Sequence, residues 1–539
     1  MAAPGPPQPD YVPAGASLSP RDRTLTLVGI LLALFLGALD QTIVSTALPK
    51  IVEDLRGVER YAWVATAYIL ASTVMVPIYG KLADIMSRRT IELGAILVFL
   101  TGSFLCGLAG EFGTLPVLGD GMTQLILARA LQGLGGAGLF AMAFIIIADL
   151  FPPRERGKYQ GFVGATFGIA SVLGPVAGGL LTDHGGSLVP GIEGWRWVFY
   201  VNLPFGALAL WFVTRRMPPL LPPSRGRLDV PSALLLVAGL APLVLGLQLD
   251  KQAHPWGSPL TLGLLTLAVV SLALFVLRSR RAPDPLLDLD LFKNRVFWTS
   301  VIALFFYGGA FLGLIVFLPL FLVNVLGVSA TQAGIALIPL SMGLVFGSIV
   351  SGQIVSRVGR YKPFLVGGGL LVCVAMALLS QVDAGTTYRE ITALMLLSGL
   401  GIGPTLPLFP LAIQNAVDVR RLGQATSASQ FFRQIGGAVG AAAMGTVLAI
   451  VLVQQLGPDA VAVLNRAPGG PVSPELREAF AAATRSIYTL GLGLAVTGWV
   501  ASWFVPSLPL RKTFGETAGR GSQVGADDGQ PATAVAAHA

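Results

Sequence analysis

The hydrophobic pattern of this 539-residue chain consists of long apolar runs separated by short polar segments. Each run has about 20 mostly apolar residues, which is the length that an α-helix needs to cross a bilayer. The sequence therefore predicts an all-α polytopic membrane protein with fourteen transmembrane helices. They are expected at residues 24–48, 61–80, 91–110, 122–149, 158–182, 196–214, 230–249, 259–277, 297–324, 331–355, 363–382, 390–415, 427–452 and 486–506.

Composition and charge support a membrane protein. Hydrophobic residues make up 54% of the chain and charged residues only 12%, whereas soluble domains carry about 25% charged residues. The net charge of +8 is therefore better explained by membrane topology than by nucleic acid. Lys and Arg are concentrated in both tails and in the loops after even-numbered helices, and the positive-inside rule places such segments in the cytoplasm. We expect both termini there and no removable signal peptide.

An internal echo indicates two related halves. The segment Gly80 to Arg89 follows helix 2, and the similar segment Gly352 to Arg360 follows helix 10. Weak internal repeats are typical of transporters built from two related halves. Two six-helix bundles with an inserted helix pair would account for fourteen helices. The predicted divisions are a disordered cytoplasmic N-tail (1–23), an N-terminal bundle (24–214), helices 7 and 8 with cytoplasmic linkers (215–296), a C-terminal bundle (297–510) and a disordered cytoplasmic C-tail (511–539).

Asp40 is the residue around which the functional interpretation is built. It is an acid inside predicted helix 1, where a charge costs roughly 2.5–3.5 kcal/mol and marks a functional site. Arg129 lies inside helix 4 at a similar depth, counted at about 1.5 Å per residue. Opposite charges at one depth can neutralise each other, so the pair predicts a site that couples proton and substrate. The alternative is a purely structural ion pair between helices 1 and 4.

Glycines in helices 4 and 5 predict close helix packing. Gly133, Gly135 and Gly138 match a dinucleotide-binding pattern formally, but no strand precedes them. Small residues at such spacing let helices approach closely. In helix 5 the small residues form one face, and Gly174 with Pro175 predicts a kink. We interpret this face as a hinge or sliding seam, with ordinary helix packing as the alternative. Its members are Gly161, Gly164, Gly168, Ser171, Pro175, Gly178 and Thr182.

Charged residues on the expected cytoplasmic side predict a gate. The candidate gate residues are Gly80, Asp84, Arg88, Arg89 and Asp149. Asp84 and Arg88 lie four residues apart after helix 2, and Arg89 follows directly. Asp149 ends helix 4 on the same side. A network joining Asp84, Arg88 and Asp149 could latch the inner side shut, even though exposed ion pairs individually contribute little.

Other features concern the transport path and the outer surface. Pro404, Pro407 and Pro410 predict broken backbone in helix 12, which is tolerated at membrane depth where it lines a cavity or is buried in protein. Segment 453–485 is predicted to be the longest outer loop, and its piece Ser473 to Glu478 resembles a helix start. Aromatic and amide side chains could line a cavity, although packed or lipid-facing aromatics are commoner. The candidates are Tyr68, Tyr307 and Gln414.

The sequence contains no pattern of a catalytic or metal site. There is no phosphate-binding glycine loop followed by Lys and no zinc-binding His-Glu-x-x-His. The three histidines lie in loops or the tail, while Cys106 and Cys373 lie in apolar runs and are expected to be unpaired. We therefore expect no enzyme, no cofactor and no metal.

Taken together, the motifs resemble the fourteen-helix drug:proton antiporter family of the major facilitator superfamily, over nearly the whole chain. Leu39 to Pro49 resembles the helix 1 motif, and Gly80 to Arg89 the loop motif, with Ser87 where glycine is usual. Arg129, Gln132 and Gly133 belong to a stretch similar to the helix 4 motif, and Trp195 to Pro204 resembles the signature before helix 6. The helix 5 motif typical of antiporters is represented by Gly168, Gly174, Pro175, Gly178 and Gly179.

The resemblance implies a single-chain exporter in the bacterial inner membrane, with two bundles rocking about a central cavity, and we expect it to be monomeric. Its partners would be lipophilic, often cationic compounds, protons and membrane lipid, but no nucleic acid. No acid lies deep in helices 9–14, so one proton per cycle is expected. One rival is export of a lipid or neutral amphiphile, which the long outer loop would suit. Another is a membrane sensor that transports nothing.

Overall fold

The computed structural model describes residues 17–57, 60–187, 191–221, 226–249, 254–328, 330–457 and 474–513, together with residues 15 and 189. It contains fourteen helices long and apolar enough to cross a membrane, which confirms the all-α prediction. We number them α1 to α14 in chain order. They are Pro20–Asp54, Trp63–Ile85, Arg88–Leu108, Gly121–Leu150, Pro153–Ser187, Gly194–Arg216, Val230–Gln248, Pro259–Ser279, Arg295–Asn324, Gln332–Val358, Lys362–Leu379, Tyr388–Ala416, Val419–Leu456 and Pro474–Phe504.

Several helices extend beyond their predicted ends. Helix α1 continues through Pro49 to Asp54, because a proline removes only one backbone donor and Lys50 pairs with Glu53 and Asp54 in the next turn. It also begins at Pro20, capped by the Ser19 side chain, so the end of the predicted disordered N-tail is helical. Residues 1–14 of that tail and residues 514–539 of the C-tail lie outside the described part.

The predicted outer loop over residues 453–485 is shorter than expected, because helices occupy both of its ends. Helix α13 continues to Leu456, and α14 already begins at Pro474, where the sequence predicted a helix start. Residues 458–473 lie outside the described residues. Helix α12 is broken, as its prolines predicted: one segment ends at Ile402 and the next begins at Thr405. Helix α5 runs unbroken past Pro175.

Helix packing creates two groups joined by a few helix pairs. Helices α1 and α5, α2 and α4, and α3 and α4 pack together in the first half. In the second half α9 packs on α13 and α14, and α10 on α12. Between the halves, α5 contacts α10 and α2 contacts α13, while α7 packs on α8 and touches α2 and α13. The domain boundaries given above remain a prediction.

The contacts between the halves lie toward the side on which α1 begins and α14 ends, here called the termini face. Near the start of α5, a side chain on Gly157 or Gly161 would press on backbone of α10, at Gly352 and Ser348 respectively. Further along, Gly174 and Gly178 instead pack against α1. Small residues thus let α5 touch the second half at the termini face and α1 toward the opposite face.

The linker 278–296 is packed rather than solvated. Leu286 and Leu291 are buried, and Lys81 of α2 pairs with Asp284. Asp288 pairs with Arg421 at 2.9 Å. The linker therefore lies along the termini face and contacts both halves of the chain.

Candidate functional site

Asp40 and Arg129 are in direct contact inside the first half. Arg129 Nη1 lies 2.5 Å from Asp40 Oδ2, and both side chains are almost fully buried. Asp40 sits in the second half of α1, while Arg129 lies two turns into α4, which runs in from the opposite face. The two helices carry the charges to one depth, as the sequence predicted, and each charge supplies the partner that the other needs away from water.

Polar side chains from two more positions complete the shell of Asp40. Gln132 Nε2 donates to Asp40 Oδ1 at 2.7 Å, and Asn202 Nδ2 donates to the same oxygen at 3.0 Å. Asn202 also donates to Ser103 Oγ at 2.9 Å. Together with the Arg129 contact, these bonds give both carboxylate oxygens of Asp40 a hydrogen-bond donor. The site joins α1, α4, α6 and α3.

Arg129 is held by further contacts of its own. Its Nη1 donates to Gln132 Oε1 at 2.7 Å, and its guanidinium lies 4.5 Å from the centroid of the Tyr68 ring. Its Nε donates to the Val64 carbonyl at 3.4 Å. Cys106 Sγ is 3.6 Å from Gln132 Oε1. Arg129 of α4 is therefore held against α2. A change at Asp40 would alter the contacts of both helices.

Glycines let these helices come close enough to form the site. A side chain at Gly133 of α4 would collide with the backbone of Tyr68 in α2, and one at Gly136 would meet the Tyr68 ring. A Cβ on Gly102 of α3 would lie 2.5 Å from the backbone nitrogen of Gln132. The prediction that the α4 glycines serve close packing agrees with these contacts.

The three candidate cavity residues are buried in this conformation, and their place along a transport path stays a prediction. Tyr68 is 1% exposed beneath Arg129, and Tyr307 is 2% exposed in the core of the second half, 3.3 Å from Ser502 Oγ. Gln414 is 1% exposed and accepts from Gln160 Nε2 at 2.9 Å. The sequence alone does not distinguish a buried position from a cavity-lining one, because tyrosine and glutamine occur at both.

The residues of the predicted gate form a wider set of contacts than expected. Arg88 Nε donates to Asp149 Oδ2 at 2.8 Å, and both side chains are buried. Asp84 accepts from the backbone nitrogens of Gly423 and Gln424, at 2.9 and 3.0 Å. These two donors belong to the first turn of the long α-helix within α13, so Asp84 ties the first half of the chain to the second.

Two other gate residues have structural contacts. Arg89 donates to the Thr214 carbonyl of α6. A side chain on Gly80 would collide with Ser427 of α13, so this glycine permits the close approach of α2 and α13. The five predicted gate residues therefore all lie at the termini face, and two of them, Gly80 and Asp84, contact the second half directly.

The helix 5 motif divides between two partners rather than forming one seam. Gly168 packs against Val345 of α10, whereas Gly174 and Gly178 pack against Thr42 and Thr46 of α1. Pro175 lies between them, and Gly179 has open space beside it. The structure thus assigns no packing reason to Gly179.

Sequence reasoning missed several polar residues of the interior. Asn202 was visible as a lone amide in an apolar stretch, but nothing in its position indicated contact with Asp40. Arg433 is a second arginine inside a predicted helix. It lies in α13, and its Nη2 donates to Gln430 Oε1 at 2.9 Å. Glu92 of α3 is fully buried. Periodicity alone places such residues on helices but does not bring their partners together.

On the opposite face, Asp120 caps the helix that carries Arg129. Its side chain accepts from the Thr123 backbone and from Arg60, and the Arg60 hydrogen bond holds the pKa of Asp120 well below its usual range. A lowered pKa stabilises the fold above the ordinary value near 4, and that stabilisation fades as the pH falls below it.

We expect Asp120→Ala to lower the melting temperature of the purified protein at pH 7, because losing an N-cap costs about 1 kcal/mol. The difference from wild type should persist at pH 5 and narrow below about pH 4. Thermal melts of wild type and variant at pH 7, at pH 5 and below about pH 4 measure this difference in melting temperature. A difference that vanishes already at pH 5 would contradict the assigned ion pair.

Comparison with known proteins places the chain in a family. The model of the Major Facilitator Superfamily matches residues 30–441. The multidrug transporter protein MdtP of Bacillus subtilis is 38% identical over 79% of this chain and 75% of that protein. Multidrug resistance protein 3 of the same organism is 37% identical over 85% of this chain and 86% of that protein.

Solved structures agree on the fold. The proton:xylose symporter XylE, bound to 6-bromo-6-deoxy-D-glucose, matches with a TM-score of 0.64 over 92% of this chain and 98% of that chain, at 13% identity. The human organic anion transporter MFSD10 matches with a TM-score of 0.59 over 89% of this chain and 100% of that chain, at 16% identity. At these identities the likeness concerns the fold alone. The predicted family is confirmed: the chain belongs to the Major Facilitator Superfamily of membrane transporters.

Proposed function

We propose that this protein exports lipophilic compounds, cationic ones among them, across the bacterial inner membrane in exchange for protons. Two groups of helices would alternate in access around a central path, with both termini in the cytoplasm and no cofactor. The relatives named above are multidrug transporters, which supports drug efflux. The single observation that carries proton coupling is the buried Asp40 carboxylate. Arg129 neutralises its charge, and two amide side chains donate hydrogen bonds to it.

The geometry suggests how a proton would act. In this conformation Asp40 is fully enclosed, with its oxygens occupied by Arg129, Gln132 and Asn202, so a cargo molecule does not contact it. A proton on Asp40 would remove the negative charge that holds Arg129. The arginine lies against Tyr68 and the Val64 carbonyl, so its release would loosen α2 and α4. Cargo and proton would then compete for Asp40 once the pair has opened.

The contacts between the two halves suggest which side of the protein is closed in this conformation. The halves meet at the termini face, through α5 with α10 and through Asp84 with α13. Toward the opposite face, Gln41 and Ser45 of α1 are exposed close to Asp40. We infer that the termini face is cytoplasmic and closed, and that the protein faces outward. Protonation from the acidic outside would follow when the enclosed pair of Asp40 and Arg129 opens toward that face.

The driving force is sufficient for useful export. A proton crossing 100 mV contributes about 2.3 kcal/mol, and each pH unit contributes about 1.36 kcal/mol. Exchange of one proton for a neutral compound would therefore supply about 3.7 kcal/mol and several-hundred-fold accumulation. For a monovalent cation the exchange is electroneutral, and only the pH term remains.

The test is uptake of a monovalent lipophilic cation dye into inverted membrane vesicles with an acidic lumen. We expect uptake that rises with the pH difference, is insensitive to membrane potential and collapses when a protonophore is added. Uptake that persists without a pH gradient would overturn proton coupling. The rival is export of a lipid or neutral amphiphile, and it becomes the favoured function if no dye is taken up.

A further inference from the structure

A large basic cavity lies at the membrane boundary of the termini face, outside the site described above. Its volume is about 900 Å³. It is bounded by the end of α10, the start of α11, the end of α14 and the segment that follows α14. At such helix ends, a spanning helix passes from the apolar membrane core to the lipid headgroups. The cavity therefore faces the headgroup layer rather than the transport path.

The charge of this cavity is uniformly positive. Arg154, Arg360, Lys362 and Lys512 line it, and none of the described residues that line it is acidic. Neither Arg360 nor Lys362 has an ion-pair partner within the described part of the chain. Some other cations on this face are paired with acids, as Lys81 is with Asp284 and Arg421 with Asp288. Arg360 and Lys362 therefore present positive charge to the cavity that no ion pair among the described residues balances.

Most of the remaining lining residues are apolar. Trp503 and Val358 are 54% and 58% exposed and stand at the ends of α14 and α10. Tryptophan at such positions is typical of the membrane interface. Basic groups beside exposed apolar side chains match a ligand with an anionic head and a hydrocarbon tail. A free anion would use the cations but not these walls.

We propose that this cavity binds the phosphate headgroup of an anionic phospholipid. Basic pockets between spanning helices on the cytoplasmic side are suited to such headgroups, and the proposed orientation places this face in the cytoplasm. Arg360 and Lys362 supply the uncompensated charge, and Trp503 with Val358 contacts the upper acyl chain.

The site also bridges the two halves of the chain. Arg154 belongs to the first turn of α5, and its Nε and Nη2 donate to the carbonyls of Ser356 and Arg357, at 3.2 and 2.9 Å. Its backbone nitrogen donates to the Arg511 carbonyl at 3.1 Å. A headgroup held here would contact both sides of the closed termini face, so lipid binding stabilises this conformation.

The experiment measures lipid retention on the purified full chain by native mass spectrometry. The probes are phosphatidylglycerol and phosphatidylcholine, offered at equal concentration. Wild type should retain phosphatidylglycerol in preference. The double variant Arg360→Gln, Lys362→Gln should bind it about 25-fold more weakly, at about fivefold for each cation lost. The control Arg280→Gln, Arg281→Gln removes two exposed cations from the same face outside the cavity and should behave as wild type.

Three outcomes would overturn the proposal. Equal retention of the two lipids by wild type would show no headgroup selectivity. Equal loss in the control would show diffuse attraction to the whole face. Displacement of phosphatidylglycerol by inorganic phosphate at millimolar concentration would identify a free-anion site instead. A melting temperature that rises with phosphatidylglycerol in wild type, but not in the double variant, would support the bridge between the halves. The assay contains no flux, so its result is separate from that of the proposed transport function.

Discussion

Asp40→Asn should abolish proton-driven export. The substitution keeps the shape of the side chain but removes the charge that faces Arg129 at 2.5 Å. A neutral amide cannot take up and release a proton in the physiological range, so cargo movement would lose its link to the gradient. We expect dye uptake into inverted vesicles to fall at least tenfold, to the level of vesicles without the protein.

A matched pair of variants separates coupling from folding. Removing one partner of a buried ion pair destabilises a protein by roughly 3–5 kcal/mol, because the other charge is left unpaired. The double variant Asp40→Asn, Arg129→Gln removes both charges and should recover most of the stability lost by the single variant. If the pair is only structural, the double variant should also recover transport. If Asp40 couples the proton, transport stays absent in the stable double variant.

A control acid addresses general effects of charge. Asp183 is an exposed carboxylate near the end of α5 on the opposite face, and Asp183→Asn should export dye as wild type does. Proton-driven export by a well-expressed Asp40→Asn variant at the wild-type rate would refute the proposed coupling site. Glu92 of α3, another fully buried acid inside a helix, would then be the first residue to examine.

The second large effect is expected at the gate: Asp84→Ala should open the termini face. Asp84 is buried and accepts two backbone hydrogen bonds at the start of the long helix of α13. A carboxylate there also interacts favourably with the positive end of the helix dipole. These contacts exist only while the halves are together. Losing them leaves buried donors unpaired, at about 2 kcal/mol, which is roughly a thirtyfold shift in population.

Distance measurements between the halves can detect this shift. Spin labels at Glu155→Cys and Val358→Cys report on the start of α5 and the end of α10, where both native side chains are exposed. The native Cys106 and Cys373 are buried and should remain unlabelled. Asp84→Ala should add a population at longer distance. Asp290→Ala, which removes an exposed carboxylate from the same face, should not. An unchanged distance distribution in Asp84→Ala would refute the gate assignment.

Much of this architecture follows from hydrophobic pattern alone. A bilayer accepts helices whose length and apolar content fall in a narrow range, so fourteen apolar runs predict fourteen helices without knowledge of their neighbours. The cost of a charge in that environment singled out Asp40 and Arg129. Their shared depth predicted contact, because helix rise per residue is nearly constant. Helix ends were less certain, since polar ends such as Lys50 to Asp54 are stabilised by local ion pairs rather than by lipid.

What the tertiary structure decided is which side chains meet. Asn202 and Gln132 converge on Asp40 from different helices, and Asp84 reaches a helix start about 340 residues away in the chain. Such contacts depend on helix rotation and on glycine-permitted approach, as at Gly133, and neither is encoded in local periodicity. For the same reason Tyr307 proved to be buried, and the basic cavity at the termini face could not be foreseen. Sequence determines the helices and marks the costly charges, whereas packing determines the partners that make those charges tolerable.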